Sequence, residues 1–396
     1  MVVRGGNATS DPMDYYSPEQ RAFQKTIRDF FVNEVNPHID EWEKARTFPA
    51  HQVFKRAGEL GMLGITYDPA YGGSGLDYWW TAAYCEAMSE ACPCNGIPMA
   101  MMVQTDMCTP ALHDFGSEDL KQRYLRPAIE GKMVGAIGVT EPSAGSDVFS
   151  IRTQAKRDGD YYVINGRKIF ITNGTQADFI TLLTKTDAEA GHHGFTLIVV
   201  PTDSPGFGVS KKLEKVGNHC SDTAELVFED VRVPVENRIG EEGWGFIYQM
   251  KQFQKERMVA AIGAAAGAQT MLDRTVQYTK ERAVFGKPLS LKQHVQFTFA
   301  ELQTEIEMLR QLNYHCVRMY VAGEDATRET SMAKLAAGRL VRNVADWCMQ
   351  FHGGYGYMDE YLVSRYWRDS RLLSIGGGAD EVMMQIIAKL EGYGNV

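Results

Sequence analysis

The 396-residue sequence lacks the cysteine pattern of a disulfide scaffold or a zinc ribbon. Its seven cysteines form no CxxC pair, and an odd number in so long a chain argues against a disulfide framework. Reduced thiols in a cytosol-like compartment are the simpler interpretation. The cysteines are Cys85, Cys92, Cys94, Cys108, Cys220, Cys316 and Cys348.

Dense positive charge and long apolar runs are also missing. The chain has 41 Lys and Arg against 50 Asp and Glu, a net charge of −9, so we expect no nucleic-acid partner. The longest apolar stretch, residues 258–268, is about half of a membrane span, so we expect no transmembrane helix. The first 16 residues lack an apolar signal core, and Asp11 and Asp14 argue against a transit peptide. We therefore predict a bacterial cytoplasmic protein, with the mitochondrial matrix after processing as the alternative.

Several common active-site motifs are absent. No GxGxxG follows a predicted strand, and the chain has neither a P-loop lysine motif nor a GxSxG elbow. A Rossmann dinucleotide site, a P-loop nucleotide site and a hydrolase elbow are therefore unsupported. His192 and His193 could suggest a metal, but a polar loop beside Gly191 and Gly194 is the simpler interpretation, so no metal site is predicted.

What the sequence contains is a change of hydrophobic period. Residues 12–135 have helical spacing, and Ser17-Pro18-Glu19-Gln20 is typical of a helix start, with further helices predicted over 54–62 and 79–92. The end of the chain, 243–396, returns to helical spacing, with long helices predicted over 291–322 and 327–351.

The middle of the chain, residues 136–242, has β character. Residues 161–166 and 168–172 predict two strands joined by a turn at Asn165-Gly166. Three further runs, 179–183, 195–200 and 224–228, are β-rich. The sequence therefore predicts an α+β multidomain protein: a helical domain, a middle domain of antiparallel strands and a C-terminal helical bundle.

Three loops rich in small, hydrogen-bonding residues are candidate ligand sites: 139–147, 350–357 and 375–381. Simple turns or helix caps are the alternatives. Arg257 and Arg282 are candidate anion binders. Glu256 lies between apolar residues, where burial would raise its pKa and make it a usable base; an exposed Glu paired with Lys is the alternative.

Together these segments resemble the acyl-CoA dehydrogenase family. The resemblance runs from about residue 16 to 390 and rests on four motifs in family order: GVTEPSAGSD at 138–147, KIFITNG at 168–174, ERAVFGKPL at 281–289 and QFHGGYGYM at 350–358. It implies an N-terminal helical domain, a middle β-barrel and a C-terminal four-helix bundle that bind FAD without a Rossmann motif. The implied reaction introduces a trans-2,3 double bond into an acyl-CoA thioester and passes electrons to an electron-transfer flavoprotein.

The catalytic base departs from the commonest family pattern. Many members carry a Glu where this chain has Gly377, which can offer a backbone N–H to the thioester oxygen but cannot take a proton. The isovaleryl-CoA and long-chain branches instead place the base in a Glu-Arg pair, and Glu256-Arg257 stands at that position. The resemblance therefore implies that Glu256 is the base. Asp380, Glu381 or an inactive site are the alternatives.

The resemblance also implies the binding residues. Val139, Thr140 and Thr172 approach the flavin ring, Phe170 forms an aromatic wall, and Ala379 replaces a flavin-contacting Thr. The implied FAD contacts are Val139, Thr140, Ser146, Phe170, Thr172, Arg282, Phe285, Gln293, Gln350, Gly354, Ala379 and Glu381; those to acyl-CoA are Ser146, Arg257, Gly376 and Gly377. Because Arg282, Phe285, Gln293, Gln350 and Gly354 should serve a neighbouring subunit, a homotetramer is expected.

The substrate prediction rests on space beside the base. Three glycines at 376–378 would admit a long or methyl-branched acyl chain, such as a citronellyl-type group. Met101, Met102 and Met107 could line an adaptable acyl pocket, with core packing as the alternative. Two other functions stay open: an oxygen-using flavoenzyme on the same scaffold, and a non-catalytic acyl-CoA binding protein.

Overall fold

The computed structural model describes residues 15–394. Residues 12–14 of the first predicted zone and 395–396 of the last lie outside the described residues. Within that range, the chain begins with eight short α-helices: α1 Pro18–Phe30, α2 Ile39–Ala45, α3 Ala50–Glu59, α4 Tyr78–Ala91, α5 Gly96–Met102, α6 Pro110–Phe115, α7 Glu118–Leu120 and α8 Arg126–Ile129. They are interspersed with π-helical turns (Phe31–Val35, Val103–Cys108, Lys121–Leu125) and 3₁₀ turns (Asn36–His38, Pro69–Tyr71).

The predicted start of α1 is confirmed by its hydrogen bonds. Ser17 Oγ accepts from the Gln20 backbone N–H at 3.3 Å, and Gln20 Oε1 accepts from the Ser17 N–H at 2.8 Å. Pro18 occupies the first turn, where its missing N–H costs no helical hydrogen bond. This capping box is a local interaction, which is why the sequence alone could identify it.

The middle of the chain forms one mixed sheet. Its strands are β1 Gly135–Gly138, β2 Gln154–Asp158, β3 Tyr161–Thr172, β4 Phe179–Lys185, β5 Phe195–Pro201, β6 Phe207–Lys212, β7 Thr223–Pro234 and β8 Arg238–Ile239. The order is β6-β7-β3-β2-β4-β5-β8, with β1 beside β4. Most pairs are antiparallel, as predicted, but β1 and β4 are parallel, and so is the single pairing of Gln154 with Lys185. The parallel pairs correct the purely antiparallel prediction; the long segment between β1 and β4 allows the crossover they need.

The predicted hairpin at Asn165-Gly166 is wrong, because β3 runs through it as one strand. The pairing of β3 with β7 shifts register between Ile164 and Gly166, so the dipeptide forms a bulge. Asn165 Nδ2 donates to Asp230 Oδ1, and the Asp230 N–H donates to Asn165 Oδ1, both at 2.9 Å. The Asn-Gly dipeptide correctly indicated an irregular backbone. Because β3 pairs with β7 on both sides of it, the irregularity is a bulge rather than a turn.

The last part of the chain is dominated by three long helices. They are α9 Gly245–Glu281, α10 Gln293–Val321 and α11 Thr327–His352, which pack on one another. A small hairpin, β9 Ala283–Val284 and β10 Lys287–Pro288, joins the first two, and α12 Leu362–Ser370 and α13 Asp380–Leu390 follow. Because α13 packs on α11, it completes the expected four-helix arrangement. Within residues 15–394, no helix has the length and apolarity needed to cross a membrane.

The cores join the three parts of the chain. The first core contains residues of α4 and α9, including Met88, Val259 and Ile262, so the two helical domains share it. Alternate side chains of β4 enter two other cores: Phe179 packs with the N-terminal helices, and Ile180 with the sheet's inner face. This two-residue alternation follows from the pleat of a strand. It fixes the sheet against the helices that carry the candidate site.

Candidate active site

Glu256 is a buried carboxylate on α9, with 7% of its surface exposed. Two glutamine side chains one and two turns earlier donate to the same oxygen: Gln252 Nε2 to Glu256 Oε1 at 3.1 Å, and Gln249 Nε2 at 3.3 Å. Burial raises the pKa of Glu256 to about 7, against the opposing effects of the Gln252 hydrogen bond and the Arg257 charge. The group can therefore exchange a proton near neutral pH.

Gln252 ties this carboxylate to the N-terminal domain. Its Nε2 also donates to the Met107 carbonyl oxygen, and its Oε1 accepts from the Ala111 N–H at 3.2 Å. Asp106 lies on the same segment, close enough for its negative charge to raise the pKa of Glu256 further. Asp106 is itself buried, which raises its pKa to about 6. Sequence reasoning missed both Gln252 and Asp106, since neither falls in a recognised motif.

Arg257 lies between Glu256, its neighbour in the chain, and the glycine loop at 376–378. Its side chain is buried, and burial lowers its pKa. Its Nε lies 4.0 Å from the position that a Cβ on Gly378 would occupy, and has no hydrogen-bond partner within residues 15–394. Gly377 and Gly378 have φ of +62° and +93°, a region that favours glycine. The structure thus brings the predicted residues Glu256, Arg257 and Gly377 to one region.

A buried lysine holds this glycine loop in place. Lys334 Nζ, on α11, donates to the carbonyl oxygens of Leu373 at 2.5 Å and Gly378 at 2.9 Å. Burial lowers its pKa to about 8. Sequence reasoning missed Lys334 too, although a lysine between the small and apolar residues of α11 was an available signal.

The other predicted residues of the glycine loop differ in exposure: Gly376 and Ala379 are half-buried, and Glu381 is exposed. Asp380 is buried, with Arg342 Nη2 at 3.4 Å from its Oδ2.

A buried ion pair shapes the loop at 139–147. Lys168 Nζ is fully buried and donates to the Val139 carbonyl oxygen at 2.8 Å and to Glu141 Oε1 at 2.9 Å. The backbone N–H groups of Arg152 and Thr153 donate to the same carboxylate at 2.6 and 2.9 Å. Burial lowers the pKa of Lys168 to about 8. Burial alone would raise the pKa of Glu141, but Lys168 and the hydrogen bonds lower it below the usual value.

The Lys168–Glu141 ion pair holds the 139–147 loop while the predicted ligand-binding residues of the loop stay accessible. Val139 and Thr140 are half-buried, and Ser146 is exposed. The Ile169 N–H donates to the Thr140 carbonyl oxygen at 2.9 Å, which joins the loop to β3. Thr140 and its neighbours therefore lie beside the strand that carries Phe170 and Thr172.

Phe170 has an unusual backbone. Its φ is +63°, and 65% of its surface is exposed. For a bulky residue this conformation is strained. The irregular pairing of β3 with β7 between Lys168 and Ile171 accommodates it, while Thr172 pairs regularly with Thr223. The strand thus exposes the Phe170 ring to solvent, at a position where β-strand residues ordinarily have a negative φ.

A second group of predicted residues lines a separate cleft of about 490 Å³. Arg282, Gln350 and Gly354 line it, at the end of α9 and the end of α11. Arg282 lies over the Tyr355 ring, 5.9 Å from its centre. Phe285 is 94% exposed on the β9–β10 hairpin, and the exposed Gln293 begins α10. The lining residues of this cleft all belong to the C-terminal domain.

Comparison with known proteins follows the same three-part division. The chain matches three family profiles: the acyl-CoA dehydrogenase N-terminal domain over residues 17–132, the middle domain over 136–231 and the C-terminal domain over 243–391. It is 38% identical over 376 residues to the mitochondrial long-chain specific acyl-CoA dehydrogenase of Sus scrofa, covering 94% of this chain and 86% of that protein. It is 37% identical to the short-chain specific enzyme of Clostridium acetobutylicum, covering 93% and 97%.

Solved structures agree with these relatives. The acyl-CoA dehydrogenase of Geobacillus kaustophilus superposes with a TM-score of 0.92 at 41% identity, covering 96% of this chain and 99% of that one. A chain in a structure of the electron transferring flavoprotein of Acidaminococcus fermentans superposes with a TM-score of 0.91 at 35% identity, covering 96% and 99%. The predicted family and fold are confirmed: the chain belongs to the acyl-CoA dehydrogenase family, FAD-binding oxidoreductases that act on the CH–CH bond of acyl-CoA thioesters.

Proposed function

We propose that Glu256 is the base that removes the α-proton of an acyl-CoA thioester, so that a trans-2,3 double bond forms. The observation that carries this proposal is a buried carboxylate with a pKa near 7 and both glutamine donors on one oxygen. A base with a pKa of about 7 is roughly half ionised at neutral pH, and its ionised form is strong enough to take a proton. Asp380 is the weaker candidate because Arg342 already lies against its carboxylate.

The chain's residues fit FAD, which accepts the hydride from the β-carbon when it is bound. The outward ring of Phe170 suits a planar aromatic group. Val139 and Thr140 are hydrogen-bonded to Lys168 and Ile169, which precede Phe170 in β3, and Thr172 ends the same strand. Arg282 offers a positive charge in the cleft, and a Cβ on Gly354 would meet no atom within 4 Å, so a pyrophosphate could approach that backbone closely. Ser146, Phe285, Gln293, Gln350, Ala379 and Glu381 complete the proposed set.

The thioester oxygen needs a hydrogen-bond donor as negative charge develops on it. We assign this role to the Gly377 backbone N–H, in the loop that Lys334 holds by two hydrogen bonds. Arg257 approaches the neighbouring Gly378, and Gly376 precedes Gly377 in the same loop, so both are proposed to contact acyl-CoA. A donor fixed before substrate arrives costs no reorganisation during the reaction.

A long or methyl-branched acyl group is the proposed substrate, and a citronellyl-type chain is one such group. Support comes from the glycines: a Cβ on Gly376 would make ordinary van der Waals contact with Leu372 at 3.5 Å, so this position is not tightly enclosed. The relatives include both long-chain and short-chain specific enzymes, so the length of the acyl chain rests on the pocket argument and not on the relatives. Met101 and Met102 are core residues, whereas half-buried Met107 contacts Gln252 through its carbonyl oxygen.

The partners are proposals as well. An electron-transfer flavoprotein is the proposed acceptor, and the resemblance to a chain in an electron transferring flavoprotein structure supports it. A homotetramer would complete the open cleft at Arg282 with a neighbouring chain. A bacterial cytoplasmic location stays a prediction, since the relatives come from both bacteria and mitochondria.

The test is an anaerobic titration of the flavin-loaded protein with straight and branched acyl-CoA esters, following flavin bleaching. The parent and a Glu256→Gln variant are compared, with Glu301→Gln, at an exposed position of α10, as the matched control. Bleaching in the parent and control but not in Glu256→Gln is expected. Equal bleaching in all three would reject Glu256 as the base. A preference for short straight chains would overturn only the substrate proposal, and rapid peroxide formation by the reduced protein would favour the oxygen-using alternative.

A further inference from the structure

Three buried thiols meet outside the site described above, where all three domains come together. Cys92 and Cys94 follow α4, and Cys220 lies in the loop between β6 and β7. The Cys94 and Cys220 sulfurs are 3.1 Å apart, and those of Cys92 and Cys94 are 3.7 Å apart. The closer pair joins the N-terminal domain to the middle domain. Two residues separated by 125 others in the chain are thus in sulfur–sulfur contact.

Asp369 of α12 fixes the two loops relative to each other. Its carboxylate accepts from the backbone N–H of Asn95 at 3.0 Å and from that of Asn218 at 2.5 Å. Asn95 directly follows Cys94, and Asn218 is two residues before Cys220. Asp369 is buried, so water does not compete for these bonds. The contact between the sulfurs is therefore held by hydrogen bonds beside both cysteines.

The surroundings favour an ionised sulfur at Cys94, whereas the hydrogen bond with Cys94, burial and the negative charge of Glu43 raise the pKa of the Cys220 thiol. Hydrogen bonds from Cys220 and Cys92, with the positive charge of Arg365, lower the pKa of the Cys94 thiol well below its usual range. Lys215 is close enough to Cys220 for the two groups to interact electrostatically. The contrast is Cys316 on α10, where burial raises the pKa of the thiol to about 12. Since the thiolate is the reactive form, Cys94 differs in kind from that packing cysteine.

Binding a metal ion is the other function that such a cluster of thiols could have. Glu43, Cys94 and Cys220 have ligand atoms within 4.8 Å of one another. However, Glu43 Oε1 already accepts from the Cys220 N–H at 2.9 Å, and its Oε2 lies 3.5 Å from Arg365 Nε. Two sulfurs bound to one tetrahedral zinc at ~2.3 Å would lie about 3.8 Å apart. The shorter sulfur contact and the nearby cations favour sulfur–sulfur chemistry.

We propose that Cys94 and Cys220 form a redox-active pair that closes to a disulfide across the domain junction, with hydrogen peroxide as the oxidant. The Cys94 thiolate attacks one peroxide oxygen, the O–O bond breaks, and with one proton taken up the products are a Cys94 sulfenic acid and water. The Cys220 sulfur then attacks the Cys94 sulfur, and the S–O bond breaks. A second water leaves with the proton of the Cys220 thiol. In total two thiols lose two electrons and two protons, and peroxide is reduced to two waters.

The test uses the flavin-loaded, full-length protein treated with hydrogen peroxide. Free thiols are counted after unfolding, and non-reduced peptides are mapped by mass spectrometry. We expect two of the seven thiols to be lost, one peptide pair joined through Cys94 and Cys220, and full reversal by a thiol reductant. The denaturation midpoint of the oxidised protein should also rise, since the new link restrains the unfolded chain.

Two variants separate this pair from general cysteine oxidation. Cys220→Ser should form no linked peptide and should accumulate a sulfenic acid at Cys94, captured by a dione reagent. Cys316→Ser, the matched buried control, should oxidise like the parent. The mapping of the unmodified protein decides the proposal even if a variant fails to fold. Seven unreacted thiols, a Cys92–Cys94 link, or one zinc bound per chain with the thiols protected would each overturn it.

Discussion

The surroundings of Glu256 and the cleft at Arg282 are built in opposite ways. Glu256 is buried, and its hydrogen-bond partners come from the same chain. The cleft is open, its lining comes from one domain, and the nearby Phe285 is almost fully exposed. The first arrangement is complete before any ligand binds. The second is open on one side, so the proposed flavin contacts there would need the neighbouring chain of the proposed homotetramer to enclose the ligand.

This difference separates two tasks. A base needs a pKa near its working pH, and only burial with fixed neighbours can shift a carboxylate that far. A site that holds a large charged ligand needs positive charge and open backbone, which an exposed surface can supply. Changes near Glu256 should therefore alter the chemical step, and changes at the cleft should alter ligand retention.

The largest expected effect is on turnover in the Glu256→Gln variant. Losing the base should slow α,β-dehydrogenation by about 10²–10⁴-fold, the usual contribution of a positioned proton acceptor. Flavin content should stay unchanged, since the cleft does not contain Glu256. Steady-state rates and the flavin absorbance per chain measure the two quantities. A variant that loses flavin but keeps its rate per bound flavin would break the comparison.

Lys168→Met tests the buried pair that shapes the 139–147 loop. It leaves Glu141 charged and buried without its main partner, which should lower the free energy of unfolding by about 3–5 kcal/mol. Urea denaturation measures the change. The double variant Lys168→Met/Glu141→Gln should recover part of the loss, because the unpaired charge is gone. Full additivity of the two single changes would show that the two side chains do not act as a pair.

Arg282→Ala tests the cleft directly. Removing one charged donor should weaken flavin binding by roughly 10- to 150-fold, corresponding to ~1.5–3 kcal/mol. The pH dependence of the chemical step should not move. Flavin retained after dilution and gel filtration measures the first effect, and Arg274→Ala, earlier on α9, serves as the control. An unchanged flavin content would remove Arg282 from the proposed contacts.

The smallest expected effect is a shift in pH profile. The parent rate should rise with pH through about 7, because only ionised Glu256 accepts the proton. The Gln252 hydrogen bond lowers this pKa, so Gln252→Leu should move the profile toward higher pH. Stability has the opposite sign: the folded-state pKa is raised, so this group stabilises the fold as pH falls from 7 toward 4.5. Single-turnover rates across pH measure the shift, and an unmoved profile would contradict the role of Gln252.

Whether a structural feature can be predicted from the sequence depends on how far apart in the chain the interacting residues lie. The capping box at Ser17 and the ends of α10 and α11 depend on neighbours in the chain, and they were predicted closely. The bulge at Asn165-Gly166 depends on Asp230 in another strand, so a local signal gave the wrong turn. Glu256 became the candidate base through the resemblance of the Glu256-Arg257 pair to the family pattern, and that role stays a prediction.

The supporting residues of the site were harder to predict. Lys168 bonds to Glu141, 27 positions away in the chain, and Lys334 to Gly378, 44 positions away. Gln252 joins Glu256, one turn away on α9, to Met107, 145 positions away. In the sequence alone a lysine or a glutamine on a helix or strand is most often an exposed polar residue. Their burial and their hydrogen bonds exist only once the domains have packed together.

The backbone at Phe170 has a consequence for attempts to make the protein more robust. A residue with φ of +63° is an obvious place to introduce glycine, which should stabilise the fold by relieving strain. The same change removes the outward ring. A selection for thermal tolerance alone would therefore favour variants that have lost the proposed aromatic wall of the cofactor site. A library at this position should be screened for flavin content as well as for heat resistance.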